Sequence, residues 1–189
     1  MNIGIDFDGV IADTAGLKVR LAKELLGMDL SVENASRSKM LELGIDVKTY
    51  DKTFKAIIMN EESHKIPLVN FAKETIDRIC TEHPADRVYI VTSRSDFEVP
   101  YLKRIMNDKQ IRYHGLINTS DKSKNSVCLE NNIRAYIDDD LFKLEQINNG
   151  HTHLFFLSRP YNENTIIQNP NIMRVKDWME FYEKIKCLR

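Results

Sequence analysis

At 189 residues the chain has the length of one domain, or of one domain carrying an insertion, and its 42% hydrophobic content is enough for a core of its own. Its 27 basic and 28 acidic side chains nearly cancel, to a net charge of −1, which argues against a general binder of polymeric nucleic acid or of membrane surfaces, since such proteins carry a basic excess. No apolar run nears the roughly 18 residues of a membrane span, the N-terminus shows no basic leader, and three scattered cysteines (Cys80, Cys128, Cys187) without a CxxC pair point to reduced thiols in a cytoplasmic protein, with neither a disulfide framework nor a zinc site.

In chain order, "NIGID" reads as a buried strand over residues 2–6, and two aspartates, Asp6 and Asp8, follow at its end. Residues 15–74 hold no convincing strand. They show helical patterns instead, such as "LKVRLAKELL" and "TYDKTFKAIIM", divided by turn residues near Gly27, Gly44 and Asn60. The expectation is an all-helical insertion over 15–74, leaving 1–14 and 75–189 as the core domain; the alternative is one helical face packed on that core. Beyond it, strands are expected at 88–92, 115–118, 135–138, 153–157 and 173–175. Helical spacing falls between and after them, at 101–108, 123–131, 141–148 and 178–187, with Pro100 suited to a first helical turn. Strands alternating with helices imply βαβ units with right-handed crossovers, hence a doubly wound parallel sheet in a three-layer α/β/α sandwich.

In such a sheet, ligands bind beyond the carboxyl ends of the strands. There the sequence puts Asp6 and Asp8 after the first strand, Thr92, Ser93 and Arg94 after the second, and Asp138, Asp139 and Asp140 after the fourth, with Lys122 and Lys124 opening a helix. Each piece alone has an ordinary reading: a solvated turn, a strand end, a helix cap, a surface lysine. Together at one sheet edge they differ. Crowded carboxylates raise one another's pKa, a divalent cation relieves them, and an all-oxygen donor set suits Mg²⁺ rather than zinc.

The stretches "DFDGVIADT" (Asp6 to Thr14), "VTSR" (Thr92), the helix-initial Lys124 and "IDDD" (Asp138, Asp139) resemble the four motifs of the haloacid dehalogenase (HAD) superfamily, most of whose members are phosphohydrolases. The resemblance spans the core from end to end. It implies a HAD-like Rossmannoid sandwich with a helical C1-type cap inserted after the first strand. Within the superfamily, "IDDD" and "FFLSRPYN" resemble the cytosolic-type 5′-nucleotidase (deoxyribonucleotidase) branch. The activity this implies is Mg²⁺-dependent hydrolysis of a nucleoside or deoxynucleoside 5′-monophosphate. A sugar phosphate or another small metabolite is the alternative substrate, because "DGVxxDT" also resembles sugar-phosphate phosphatases and phosphomutases.

By this resemblance Asp6 is the nucleophile and Asp8 the general acid and base. Asp6, Asp138 and the backbone carbonyl of Asp8 ligate Mg²⁺, and Asp139 orients the metal's water shell. Thr92 and Ser93 hold the phosphoryl group, Lys124 neutralises it, and Lys122 competes for the lysine's role. Asp13 is expected to cap the following helix, and Arg94 either to hold a substrate's polar end or to face solvent. Arg159 and Tyr161 are expected to close the sheet edge, while His151 and His153 lack the partners of a metal site. The expected partner is a small phosphate monoester, with a homodimer left open. A dehalogenase has no need of Asp8 or of the metal carboxylates, and a silent binding module has no reason to keep all these positions.

Overall fold

The structure is a computed structural model that describes residues 1–55, 66–119 and 122–189. Six apolar runs become strands: β1 (Asn2–Ile5), β2 (Arg87–Thr92), β3 (Gly115–Asn118), β4 (Ile133–Asp138), β5 (His153–Leu157) and β6 (Ile172–Val175). They join one sheet in the order β3-β2-β1-β4-β5-β6, with every neighbouring pair parallel. The order reverses at β1, so the switch point of the sheet lies where β1 is flanked by β2 and β4.

Alternation along the strands explains the layers. Ile3, Ile5, Val88, Ile90, Ala135 and Ile137 face one side, against α4 (Ala72–Glu82), α5 (Val99–Asp108) and α8 (Trp178–Lys186). Val91, Tyr136, Leu154 and Phe156 face the other, against α6 (Lys124–Glu130) and α7 (Leu141–Glu145). The three-layer sandwich and its parallel sheet are as the sequence patterning predicts. Helix ends differ by a few residues: α5 starts at Val99, putting Pro100 in its first turn, and α7 stops at Glu145 rather than 148.

Trp178, wholly buried at the start of α8, donates its indole N–H to the Val10 carbonyl at 2.9 Å. It packs edge-on against Phe181, which packs edge-on against Phe155 of β5. The last helix thus anchors the loop that follows β1.

Between β1 and α4 run α1 (Thr14–Leu26), α2 (Arg37–Glu42) and α3 (Val47–Tyr50), the last continuing as a π-helical turn over Asp51–Lys55. No named strand occurs here among the described residues. The tail of "TYDKTFKAIIM" and the turn near Asn60 lie outside them. The outgoing and returning passages run side by side, with Asp13 N–H on the Pro67 carbonyl and Val69 N–H on the Ile11 carbonyl, both at 2.8 Å. The return is complete by Ala72, where α4 begins, three residues ahead of the expected core boundary at 75. Leu17, Leu21, Met40, Tyr50 and Phe54 belong to the same apolar cluster as Ile3 and Ile5, so the apolar side chains of the segment are continuous with the core. No helix among the described residues is long and apolar enough to cross a membrane.

Candidate active site

Register brings the first two carboxylates together. Ile5 pairs with Ile137, and the Asp6 N–H donates to the Ile137 carbonyl at 3.0 Å, so Asp6 and Asp138 stand side by side just past the paired residues. Both are buried, at 2% and 0% exposure. Lys124 is the first residue of α6, whose N-terminus is capped by Ser123 accepting from the Ser126 N–H at 3.1 Å. Its ammonium enters between the two acids and spends each N–H on one acceptor: Asp6 Oδ1, Asp138 Oδ2 and the Tyr136 hydroxyl, all at 2.6 Å. Lys122 instead lies on the surface, 2.6 Å from Glu130.

Tyr136 was not among the residues that the sequence pattern singles out. The available signal was its place two residues before Asp138, which puts both side chains on one face of β4. Its ring lies over Gly4, its partner on β1, where a Cβ would come within 2.6 Å of Tyr136 Cδ2. The glycine in "IGID" makes room for the ring that holds the lysine.

Burial and the neighbouring Asp138 hold the Asp6 carboxyl above its usual range, with Lys124 opposing them. For Lys124, burial favours the neutral amine, but Asp138 and Asp6 outweigh it and keep the ammonium charged. Burial, then Asp138 and Asp6, push the Asp139 carboxyl up to about 7. Lys143, on the first turn of α7, is held protonated chiefly by the field of Asp6. Oxygens of Asp6, Asp138 and Asp139 all lie within 4.8 Å of one another. The three carboxylates face the ammoniums of Lys124 and Lys143, and the donors they offer are all hard oxygens. That composition fits a hard divalent cation such as Mg²⁺.

Asp139 thus stands beside Asp6 and Asp138, close enough to share an ion with them. Two residues of "SRPYN" position it: the Tyr161 hydroxyl donates to Asp139 Oδ2 at 2.5 Å, and Asn162 Nδ2 donates to the Asp139 and Leu157 carbonyls, each at 2.9 Å. Tyr161 thus serves the site as well as the sheet edge. Arg159 reaches elsewhere, its Nη2 2.8 Å from Asp13 Oδ1. Asp13 holds the N-cap position of α1 without capping it. Its ψ of 76° departs from the extended conformation in which a cap side chain turns back to the helix, and its carboxylate goes to Arg159 instead.

The Asp8 carboxylate forms a bidentate pair with Arg94, Nε to Oδ2 at 2.8 Å and Nη2 to Oδ1 at 2.6 Å. Burial would raise the Asp8 pKa, but Arg94 overcomes it and holds the group below its usual range. Arg94 is 7% exposed and does not face solvent. Its Nη1 has no hydrogen-bond partner among the described residues, the nearest carboxylate being Glu98 Oε1 at 3.9 Å. Thr92 is buried at the end of β2 with its hydroxyl accepting from the Arg94 N–H at 3.3 Å, and Ser93 is exposed beside it. His151 is spent on Asn132, at 2.7 Å, and His153 opens β5 on the surface.

Gly9 lets the chain turn between Asp8 and the apolar loop. Its φ is +79°, and a Cβ there would strike the Asp139 carboxylate and the Tyr161 hydroxyl. Gly9→Ala combines backbone strain with overpacking, each costing about 1–3 kcal/mol. A thermal melt should show Tm lower by at least about 5 °C; an unchanged Tm would mean that the turn tolerates a side chain.

No protein-family model matches the chain, and no curated protein matches it. Solved structures match it in shape along almost its whole length. YfnB of Bacillus subtilis, described as a HAD-hydrolase bound to magnesium, superposes with a TM-score of 0.63 at 14% identity, covering 98% of each chain. A haloacid dehalogenase-like protein of Agrobacterium tumefaciens gives 0.66 at 12%, over 99% of this chain and 98% of that one. A HAD family hydrolase of Deinococcus radiodurans, with bound phosphate and sodium, gives 0.63 at 11%, over 99% and 93%. The fold is that of the HAD-superfamily hydrolases.

In this HAD fold the helical segment after β1 roofs a cavity of about 900 Å³ over the carboxyl edge of the sheet. Its floor includes Asp8, Ser93, Arg94, Asp139 and Lys143; its roof includes Lys18, Arg37 and Tyr50. A small organic ligand fits such a volume, and Asp139 of the acid cluster lines its base.

Proposed function

We propose that the chain is a Mg²⁺-dependent phosphohydrolase that cleaves a phosphate monoester through an aspartyl-phosphate on Asp6. The observation that carries this reading is the buried Lys124 ammonium, 2.6 Å from both Asp6 and Asp138, beside a third clustered carboxylate. Asp6, Asp138 and Asp139, with the Asp8 backbone carbonyl, would hold the metal, which when bound neutralises charge on the phosphoryl oxygens. Lys124 fixes Asp6 through Oδ1, leaving Oδ2 to attack phosphorus while the ester oxygen departs. Asp8 in its acid form, which requires release from Arg94, gives that oxygen a proton; as the carboxylate that Arg94 favours, it then takes one from the water that attacks the aspartyl-phosphate. This releases inorganic phosphate and restores Asp6. The Thr92 and Ser93 hydroxyls donate to phosphoryl oxygens, and Lys124 supplies fixed positive charge where the transition state needs it. The magnesium-bound and phosphate-bound structures of similar fold are in keeping with this chemistry.

For the substrate, the resemblance of "IDDD" and "FFLSRPYN" favours a nucleoside or deoxynucleoside 5′-monophosphate. A panel of these esters with sugar phosphates, assayed for inorganic phosphate, tests it. Nucleotides should lead the panel, and a sugar phosphate that leads instead selects the alternative substrate. Adding EDTA should lower the rate about 10³-fold, the several kcal/mol of charge stabilisation that a bound metal supplies. Metal-independent hydrolysis would refute the role given to the acid cluster, and halide release from 2-haloacids would replace phosphoryl chemistry altogether.

A further inference from the structure

We infer that the substrate carries a second anionic group, remote from the scissile phosphoryl, received by Lys18 and Arg37 of the roof together with Arg94 of the floor. The inference rests on the phosphohydrolase reading but departs from its nucleoside 5′-monophosphate, which carries one phosphate on a neutral remainder, and selects instead a phosphate ester with a further carboxylate or phosphate. The three cations form a continuous row through named contacts. Arg94 pairs with Asp8, and Lys18 also bears on Asp8, helping to hold it charged. Lys18 Nζ lies 5.7 Å from the centre of the Tyr50 ring, and the Arg37 guanidinium lies 5.6 Å from it. All of these side chains line the one cavity.

Charge pairing sets this row apart. The neighbouring cations Arg20, Lys23 and Lys39 each have a carboxylate close by, Glu24, Asp29 and Glu42. Lys18, which acts on Asp8 at longer range, and Arg37 form no ion pair among the described residues; Arg94 is paired with Asp8, and its buried Nη1 stands 3.9 Å from Glu98 Oε1 without a hydrogen bond. A buried guanidinium N–H without an acceptor is costly, and an anion from the ligand would offset it. The cavity's carboxylates are engaged elsewhere or set apart. Asp8 is held by Arg94, Asp139 takes the Tyr161 hydroxyl, Asp140 caps α7, and Glu98 takes the Ser95 N–H and hydroxyl on Oε2 while its Oε1 stands 3.9 Å from Arg94 Nη1; Asp51 is exposed. The transferred phosphoryl already has Lys124, Thr92 and the acid-bound metal. A substrate with one phosphate and a neutral remainder leaves the row unused; a carboxylate or a second phosphate employs it.

Binding to the Asp6→Asn protein with Mg²⁺, by calorimetry, tests this with two matched pairs: 3-phosphoglycerate against glycerol 3-phosphate, and adenosine 3′,5′-bisphosphate against adenosine 5′-monophosphate. Within one pair the doubly anionic member should bind about 10- to 100-fold tighter, and the pair that responds distinguishes carboxylate from phosphate. In the Lys18→Gln/Arg37→Gln protein the advantage should shrink to about threefold or less. KM values of the wild-type protein give the same comparison without the Asp6 substitution. No preference in either pair, or a preference that survives the double substitution, overturns the inference. A preference without phosphate release from any of the four esters by the wild-type protein would instead overturn the hydrolytic reading, leaving the row as an anion site.

Discussion

Asp6→Asn is expected to lower phosphate release by about 10⁴-fold or more while leaving the protein folded. The amide cannot form an acyl-phosphate by attack on phosphorus, and no other carboxylate replaces it. Asp8 is held by Arg94, and Asp138 is itself bonded to Lys124. The fold should survive because Asn occupies the same volume, and Lys124 keeps Asp138 and Tyr136 as acceptors. Removing one carboxylate also relieves a cluster in which burial and Asp138 already disfavour the Asp6 charge. Initial rates and a thermal melt on the same preparation check both halves. Near-wild-type rates would remove Asp6 from the nucleophile's role, and a collapsed melt would make the rate uninformative; Asp6→Ala then serves as the second variant.

Lys124→Met should have the largest effect on stability. Asp6 and Asp138, 2% and 0% exposed, would lose the cation that both touch. Breaking a buried ion pair from one side costs about 3–5 kcal/mol, because a charge is left uncompensated. At roughly 2–4 °C per kcal/mol for a chain of this size, the melt should fall by about 10 °C or more. Added Mg²⁺ should recover part of that loss by supplying the missing positive charge, yet hydrolysis should stay impaired because Asp6 is no longer fixed. Lys122→Met is the control. Its side chain is 57% exposed and its pair with Glu130 lies on the surface, so a change within about 1 kcal/mol and little loss of rate are expected. A larger loss at Lys122 than at Lys124 would reverse the assignment of the two lysines.

Much of the site's location is legible in the amino-acid order alone. Parallel-sheet strands buried on both faces read as short apolar runs, so β1, β2, β4 and β5 stand out, while the edge strands β3 and β6, which are less buried, are fainter. Chain order then puts the polar ends of β1, β2 and β4 at one edge. Helix boundaries are less legible, since a terminal turn depends on side chains that meet only in the fold. Asp13 shows this well: its residue type and position suit a cap, but Arg159, distant in sequence, takes its carboxylate.

Partnership across the sheet is beyond the sequence. That Arg94 is buried against Asp8, that Tyr136 completes the lysine's set of acceptors over Gly4, and that Tyr161 and Asn162 hold Asp139 are all contacts between different elements of the fold. Local propensity carries no record of them.

By itself, then, the sequence determined the sheet, its parallel sense and the edge at which carboxylates gather, because hydrophobic alternation and strand ends are local properties. Only the tertiary structure decided how those charges pair: which lysine enters the cluster, which arginine clamps Asp8, and which cations are left over to face the cavity. Electrostatic energy depends on distance and burial, and both are settled only once the elements have packed.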